Sequence, residues 1–324
     1  MLDRSFDSQN SHFFDTTKHF SANMTTEHIS RKNVAHTQYY DSTYMAEALD
    51  AAFDIEHNGF EDGPVYWGVF QKLLRQNRSQ QHPNCTVVLD VGTGSGRIFR
   101  KLAQKAAEAA EDLTDTNFIG MDKSPAMLER ARLRNTELSR VGKVSWLVGD
   151  ARNLLAQFVL REIGPQVSLV LCADGGIGYI DETGDTYGFF SHVAQLLRPG
   201  SGRACISLLE FQVAEAYING VTPSVYDESM ESMDEISKDS SISFKVVLHR
   251  EYVENGFHIA QLETEVIRTD PQGKETLLEI CHYNHKFRVW RTEDLLVVAQ
   301  KAGLQHVETI KCPRIYHFLF KTSQ

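Results

Sequence analysis

One strand-to-helix junction constrains this chain more than any other feature: Val87-Val-Leu-Asp90-Val-Gly92-Thr-Gly94-Ser-Gly96-Arg97. An apolar, β-branched run enters a loop with glycine at every second position, and a helical pattern follows. Glycine turns the chain tightly and lets a ligand approach the backbone. At the carboxyl end of a parallel strand, that is where nucleotide-like ligands bind. The dinucleotide fingerprint needs its third glycine at position 97, where Arg97 stands. A P-loop is excluded too, because no Gly-Lys-Ser/Thr follows. Asp90, two residues before the first glycine, repels a pyrophosphate and suits a ligand that carries an ammonium group.

Strand and helix patterns alternate around this junction. Strands are expected at Thr86–Val91, 117–121, 144–148, 167–173 and 204–209, with helices at 96–110, 124–138 and 186–197. That rhythm predicts a doubly wound α/β fold with a mostly parallel, seven-stranded sheet. Residues 1–35 are polar and aperiodic and read as a flexible tail. Residues 36–84 read as a helical lid, with one helix from about Tyr44 and a second over 65–75. After 209 the rhythm changes. Three long β runs, 242–252, 257–269 and 276–290, are joined by turn signals at Asn255-Gly256 and Pro271-Gln-Gly273. They predict an antiparallel meander inserted at about 240–290 as a second part of the lid. A helix (293–302) and two closing strands (305–311 and 315–321) complete a cofactor-binding domain over 85–324.

The 324-residue chain has a net charge of −10, with 42% hydrophobic and 23% charged residues. An acidic chain without a basic patch argues against nucleic acid as a partner. Arg130, Arg132, Arg134 and Arg140 cluster on one helical segment, but Glu129 and Glu137 are interleaved, which predicts a solvated face. The five cysteines show no metal-ligand spacing, so no metal is expected, and they read as buried thiols in a reducing compartment. No stretch approaches the ~18 apolar residues of a membrane span. No secretory leader is apparent, so the expected location is the cytoplasm. Nothing in the sequence fixes an oligomeric state.

Two further strand ends give the glycine loop its context. Gly120-Met-Asp122 closes the second core strand, where a carboxylate can take two ribose hydroxyls. Gly149-Asp150-Ala151 closes the third, where a carboxylate and a backbone N–H can meet an adenine amine and a ring nitrogen. Sites for an amino acid, a ribose and an adenine together fit one ligand, S-adenosylmethionine (SAM), or its product S-adenosylhomocysteine (SAH).

The chain therefore resembles the class I SAM-dependent methyltransferases, in their small-molecule branch, over roughly residues 36–324. Residues 88–96 resemble the family's first motif, Gly120–Asp122 the second and Gly149–Ala151 the third. Leu197-Arg-Pro-Gly200 and Ala302-Gly-Leu304 resemble its later turns. The resemblance implies cofactor contacts at Asp90, Gly92, Gly94, Asp122, Lys123, Asp150 and Ala151, with Met127 packed on the adenine.

Direct displacement at a sulfonium methyl mainly needs alignment and exclusion of water, and a base only if the nucleophile arrives protonated. No universal catalytic residue is expected. The acceptor should sit beyond the fourth core strand, near Asp174 and Tyr179. Many relatives have Asn near Asp174; an acid there could hold an amine or act as its base. Tyr39, Tyr40, Tyr44 and Trp67 are candidates to cover the cofactor, with Tyr40 assigned to its site and Tyr39, Tyr44 and Trp67 to that of the substrate. The third lid strand offers His282-Tyr283-Asn284-His285. Successive residues face opposite ways, so His282 or His285 could serve as a general base and Tyr283 could touch substrate. A small-molecule acceptor, methylated on O or N, is the expected partner. The alternatives are a SAM-binding enzyme with another chemistry, such as a cyclisation, and a protein methyltransferase whose acidic 227–235 stretch attracts a basic peptide.

Overall fold

Complete burial of the two central strands sets the architecture. The computed structural model describes residues 31, 34–54, 62–79, 86–180, 183–220 and 241–323, which belong to one compact unit. Strands β2 (Thr86–Val91) and β5 (Val167–Cys172) are buried at every position, as strands covered on both faces must be. Val87, Leu89 and Val91 point into one core with helices α6 (Thr183–Leu196) and α7 (Thr292–Lys301). Val88, Leu169 and Leu171 point into a second, with α2 (Gly63–Ser79) and α3 (Arg97–Glu108).

The seven-stranded sheet has the order β10-β11-β6-β5-β2-β3-β4. Here β3 is Leu113–Asp122, β4 Val141–Val148, β6 Arg203–Leu209, β10 Leu304–Cys312 and β11 Ile315–Thr322. Strands β2 to β6 pair in parallel, and β10 and β11 close the edge antiparallel. The chain leaves β2 toward β3 on one side, and β5 pairs on the other. The topological switch point, where such sheets bind ligands, therefore lies at the carboxyl ends of β2 and β5.

A second sheet has the order β1-β9-β8-β7. Strands β7 (Ile242–Glu254), β8 (Phe257–Thr269) and β9 (Glu275–Arg288) form the expected antiparallel meander. Asn255 and Gly256 both have positive φ, 51° and 77°, as a tight primed hairpin turn requires. The fourth strand, β1 (Ala35–Gln38), has no counterpart in the sequence expectations: it pairs parallel to β9, with Gln38 opposite His282. A 3-10 turn, Tyr39–Asp41, then leads into α1 (Thr43–Asp54), and Tyr39, Met45 and Ala48 pack with Phe244 and Val266 of the meander.

Other departures have local causes. The helix expected over 124–138 stops as α4 (Pro125–Leu133) and continues as a 3-10 turn, Asn135–Leu138, where Asn135 Oδ1 accepts from Trp146 Nε1 at 2.9 Å. A short helix, α5 (Phe158–Ile163), escaped the periodicity because Phe158 and Val159 are exposed and only Leu160 is buried. The arginine cluster divides: Arg132 and Arg140 are exposed as expected, but Arg130 and Arg134 turn inward. Arg130 Nε and Arg134 Nη1 lie 2.9 and 3.0 Å from the fully buried Asp50 carboxylate of α1. Most of the tail expected over 1–35 and the acidic 227–235 stretch lie outside the described residues. Among those residues, no helix is long and apolar enough to cross a membrane, and no group of His, Cys, Asp and Glu is arranged to hold a metal.

Candidate cofactor and acceptor site

The loop after β2 folds back on β3: the N–H groups of Gly92 and Thr93 donate to Met121 O at 2.8 and 3.0 Å. Gly92 and Gly94 have φ of 75° and 55°, and a Cβ on either would meet nothing within 4 Å. Open space therefore lies over these two glycines, as a ligand that touches the backbone needs. Gly96 is glycine for a different reason, since a side chain there would collide with the Trp146 ring.

Asp90 is 1% exposed. Its Oδ2 accepts from Thr93 Oγ1 at 2.8 Å, and its Oδ1 is buried with no hydrogen-bond partner. Burial pushes this carboxyl up to about 7, against the pull of the Thr93 hydroxyl. An orphaned buried acceptor at the switch point fits an ammonium donor. Asp122 spans the loop: Oδ2 accepts from Gly94 N and Oδ1 from Ser124 N, both at 2.8 Å. Burial raises its carboxyl too, and the N–H bonds offset part of that rise. The cap of α4 belongs to Ser124, whose Oγ accepts from Met127 N at 3.2 Å. Asp122 is thus left to fix the loop, and it borders a cavity. Met127 is buried on α4, behind that cap. Asp150 caps the 3-10 helix that starts at Ala151 and is half-exposed. Arg152 Nε lies 3.0 and 3.1 Å from its two oxygens and holds the carboxyl below its ordinary value. An adenine amine there would share the carboxylate with that guanidinium. The open glycine backbone, the orphaned Asp90 oxygen and the Asp122 carboxylate together suit the amino acid and ribose ends of SAM.

A cavity of ≈ 400 Å³ opens beside Asp122, Lys123 and Ser124. Its far wall is aromatic and comes from three parts of the chain. The hydroxyls of Tyr40, Tyr179 and Tyr283 form a closed ring, with Tyr40–Tyr179 at 2.7 Å, Tyr40–Tyr283 at 2.9 Å and Tyr179–Tyr283 at 2.7 Å. Tyr39 is buried behind them and stacks on Tyr283 at 4.5 Å. Desolvation raises the Tyr40 and Tyr179 hydroxyls above the ordinary tyrosine value, so both face the cavity uncharged.

The three side chains expected to act as bases are placed as follows. His285 is 1% exposed; Nδ1 is 3.1 Å from the Tyr179 hydroxyl, Nε2 has no partner, and burial holds the ring neutral. His282 borders the cavity, but its Nε2 lies 2.7 Å from His36 Nδ1 and its Nδ1 faces Glu263 at 3.8 Å. Asp174 accepts from Arg97 Nη2 through both oxygens, at 2.7 and 2.8 Å. The remaining aromatic candidates are not brought to the cavity. Tyr44 packs with the core between the N-terminal segment and the meander. Trp67 packs on Phe70, ring centres 6.0 Å apart, in the core under α2 and α3.

Two buried ionic centres beside the glycine loop were not expected. Asp50 accepts from Ser95 Oγ at 2.6 Å and from Arg100 Nη2 at 2.7 Å, besides its contacts with Arg130 and Arg134. Arg97 pairs with Asp62 as well as with Asp174. The only sequence signals were an acid on an apolar helix face and the arginine that replaces the fingerprint's third glycine.

Residues 88–200 match the family described as Methyltransferase domain. The N-methyltransferase FrzE of Cladobotryum sp is 29% identical over 283 residues, which covers 84% of this chain and 92% of that protein. Two solved structures share the fold. DesVI of Streptomyces venezuelae aligns with a TM-score of 0.55 at 18% identity, covering 85% of this chain and 98% of its own. A SAM-dependent methyltransferase from Clostridium acetobutylicum aligns with a TM-score of 0.54 at 14% identity, covering 86% and 96%.

Proposed function

We propose that this chain, which is similar to methyltransferases along most of its length, is a class I SAM-dependent methyltransferase that moves the methyl group to an amine nitrogen of a small metabolite by direct displacement. Bound SAM supplies a methyl carbon already activated by its sulfonium. In this reading Asp90 takes the amino group of the cofactor and Asp122 the ribose hydroxyls. Asp150 and Ala151 meet the adenine, which packs over Met127, and Lys123 borders the ribose end. Tyr40, Tyr179 and Tyr283 surround the acceptor, and a cavity of ≈ 400 Å³ is of the size small ligands use.

One observation carries nitrogen over oxygen: each of the three expected bases is already committed. Asp174 is held by a guanidinium, His282 turns its nitrogens to His36 and Glu263, and His285 is buried against Tyr179. A phenol or carboxylic acid needs deprotonation before it attacks, whereas a neutral amine brings its own lone pair and releases its proton afterwards. The neutral hydroxyls of the tyrosine ring can orient such an amine without protonating it. The name of the Cladobotryum relative points the same way. Incubation with methyl-labelled SAM and separate panels of small amines, phenols and carboxylic acids tests the reading. Label is expected in the amine panel; label confined to phenols or acids would overturn it. A basic peptide included as a further acceptor is expected to stay unlabelled.

A further inference from the structure

Arg97 follows the last glycine of the cofactor loop and is 5% exposed. Its Nη1 and Nη2 donate to the two oxygens of Asp62 at 2.8 and 2.7 Å, and Nη2 also donates to Asp174 at 2.7 Å. Asp62 precedes α2, and Asp174 lies just past the end of β5. One guanidinium therefore joins the cofactor helix, the N-terminal helical segment and the loop that leads to the acceptor cavity. Lys101 Nζ, 3.9 Å from Asp62, adds a second positive charge to the pair of carboxylates.

The loop held in this way is strained. Asp174 has φ of 50° and Gly175 of 66°. A non-glycine residue in the left-handed region persists only where its surroundings over-determine it, and such residues gather at functional sites. Two clamps do so here. On one flank, Gln212 Nε2 donates to Gly175 O at 2.9 Å, and a side chain at Gly175 or Gly178 would collide with the Gln212 amide. On the other stands Arg97. Between them the chain makes one 3-10 turn, Gly176–Tyr179, and ends on the tyrosine whose hydroxyl enters the acceptor ring.

We infer that Arg97 is a positioning residue for methyl transfer, which locks the acceptor loop to the cofactor loop through Asp174. Tyr179 then takes its place in the cavity only while the glycine loop before Arg97 is ordered. Asp174 in turn acts as the anchor of this loop, with its charge matched to the guanidinium. The inference rests on SAM-dependent methyl transfer and is independent of whether the acceptor atom is nitrogen.

Hydrogen exchange in the full-length protein tests it, with SAH as the probe. In the wild type, saturating SAH is expected to slow exchange both in the glycine-loop peptide, 92–97, and in the acceptor-loop peptide, 174–180. Asp174→Asn preserves shape and tolerates the left-handed backbone but removes the charge. With SAH bound, its 92–97 peptide should stay protected while 174–180 exchanges about tenfold faster than in the wild type. Arg97→Gln removes the same contact together with the pair to Asp62, so its 174–180 peptide should exchange at least as fast, and the double variant should be no worse than Arg97→Gln alone, because the Arg97–Asp174 contact is already broken there. Unchanged protection of 174–180 in Asp174→Asn, or a double variant with summed effects, would overturn the inference. A wild type whose 92–97 peptide ignores SAH would instead overturn the cofactor reading itself.

Discussion

The proposed site has two walls, the glycine loop on the cofactor side and the tyrosine ring of the cavity on the acceptor side, and they are built at different distances along the chain. On the cofactor wall, partners are near neighbours: Thr93 bonds Asp90 three residues away and Ser124 bonds Asp122 two residues away. The Gly94–Asp122 contact, 28 residues apart, and the bonds of Gly92 and Thr93 to Met121 O cross from one strand end to the next. On the acceptor wall the hydroxyl contacts join residues 104, 139 and 243 positions apart. The first wall is a local consequence of strand, turn and helix chemistry. The second exists only once β1 has paired with β9 and the meander has folded.

The sharpest way to break that contrast is Asp50, a distant residue on which the local wall depends. Its carboxylate is fully buried and faces Arg100, Arg130, Arg134 and the Ser95 hydroxyl of the glycine loop. Asp50→Ala leaves those guanidinium groups without their common partner. Removing one side of a buried ion pair costs about 3–5 kcal/mol. Denaturant melts should show a loss of that order, and a loss under ~1 kcal/mol would mean that the glycine loop stands without its distant support. Gly94→Trp attacks the same wall from the ligand side. The side chain fills the open space above the loop, at a φ of 55° that disfavours it. SAH affinity by calorimetry should fall by about 100-fold or more, equivalent to ~2.8 kcal/mol. Retained affinity would place the cofactor elsewhere.

The same contrast decides what can be read from the sequence. Strand β2 and its loop are legible because burial on both faces demands an unbroken apolar run, and because glycine spacing has few other uses. Asp90, Asp122 and Asp150 follow from their places at strand ends. Strand β1 is not legible: Ala-His-Thr-Gln carries no β pattern, and its pairing with Glu279–His282 is a parallel contact across most of the chain. Tyr40, Tyr179 and Tyr283 could be singled out as aromatic, but nothing in their spacing says that three hydroxyls meet. Half of the arginine cluster, Arg130 and Arg134, fails in the opposite way. Interleaved glutamates suggest a solvated face, whereas the partner that buries Arg130 and Arg134 lies on α1, some eighty residues away.

Asp90 gives a pH-dependent version of the test, with an effect of about tenfold per unit. Burial pushes its carboxyl up to about 7, above the ordinary Asp value of about 3.9. In the ligand-free protein, its contribution to stability is therefore complete below about pH 4 and is lost as pH rises through about 7. Binding of an ammonium has the opposite sign, since the ligand prefers the ionised carboxylate. SAH affinity should improve about tenfold per unit as pH rises toward 7 and then level off. In Asp90→Asn both trends should flatten. A wild-type affinity that is flat from about pH 5 to 8 would remove Asp90 from the ammonium site.

The smallest effect belongs to the distant wall and sharpens the comparison by its selectivity. Tyr179→Phe deletes one hydroxyl of the ring but leaves the Tyr40–Tyr283 contact at 2.9 Å. It also strips His285 Nδ1 of its partner at 3.1 Å, so both nitrogens of a buried ring become unpaired. A single hydrogen bond of this kind is worth about 1 kcal/mol, which predicts a fall in turnover of about fivefold with whichever amine accepts label. SAH affinity should not change, because Tyr179 makes no contact with the glycine loop or with Asp122 among the described hydrogen bonds. The same substitution at Tyr283 should behave alike, since it removes another member of the same ring. If either variant weakened SAH binding while turnover at saturating cofactor stayed constant, the hydroxyl ring would belong to the cofactor wall. The acceptor would then have to enter from another side.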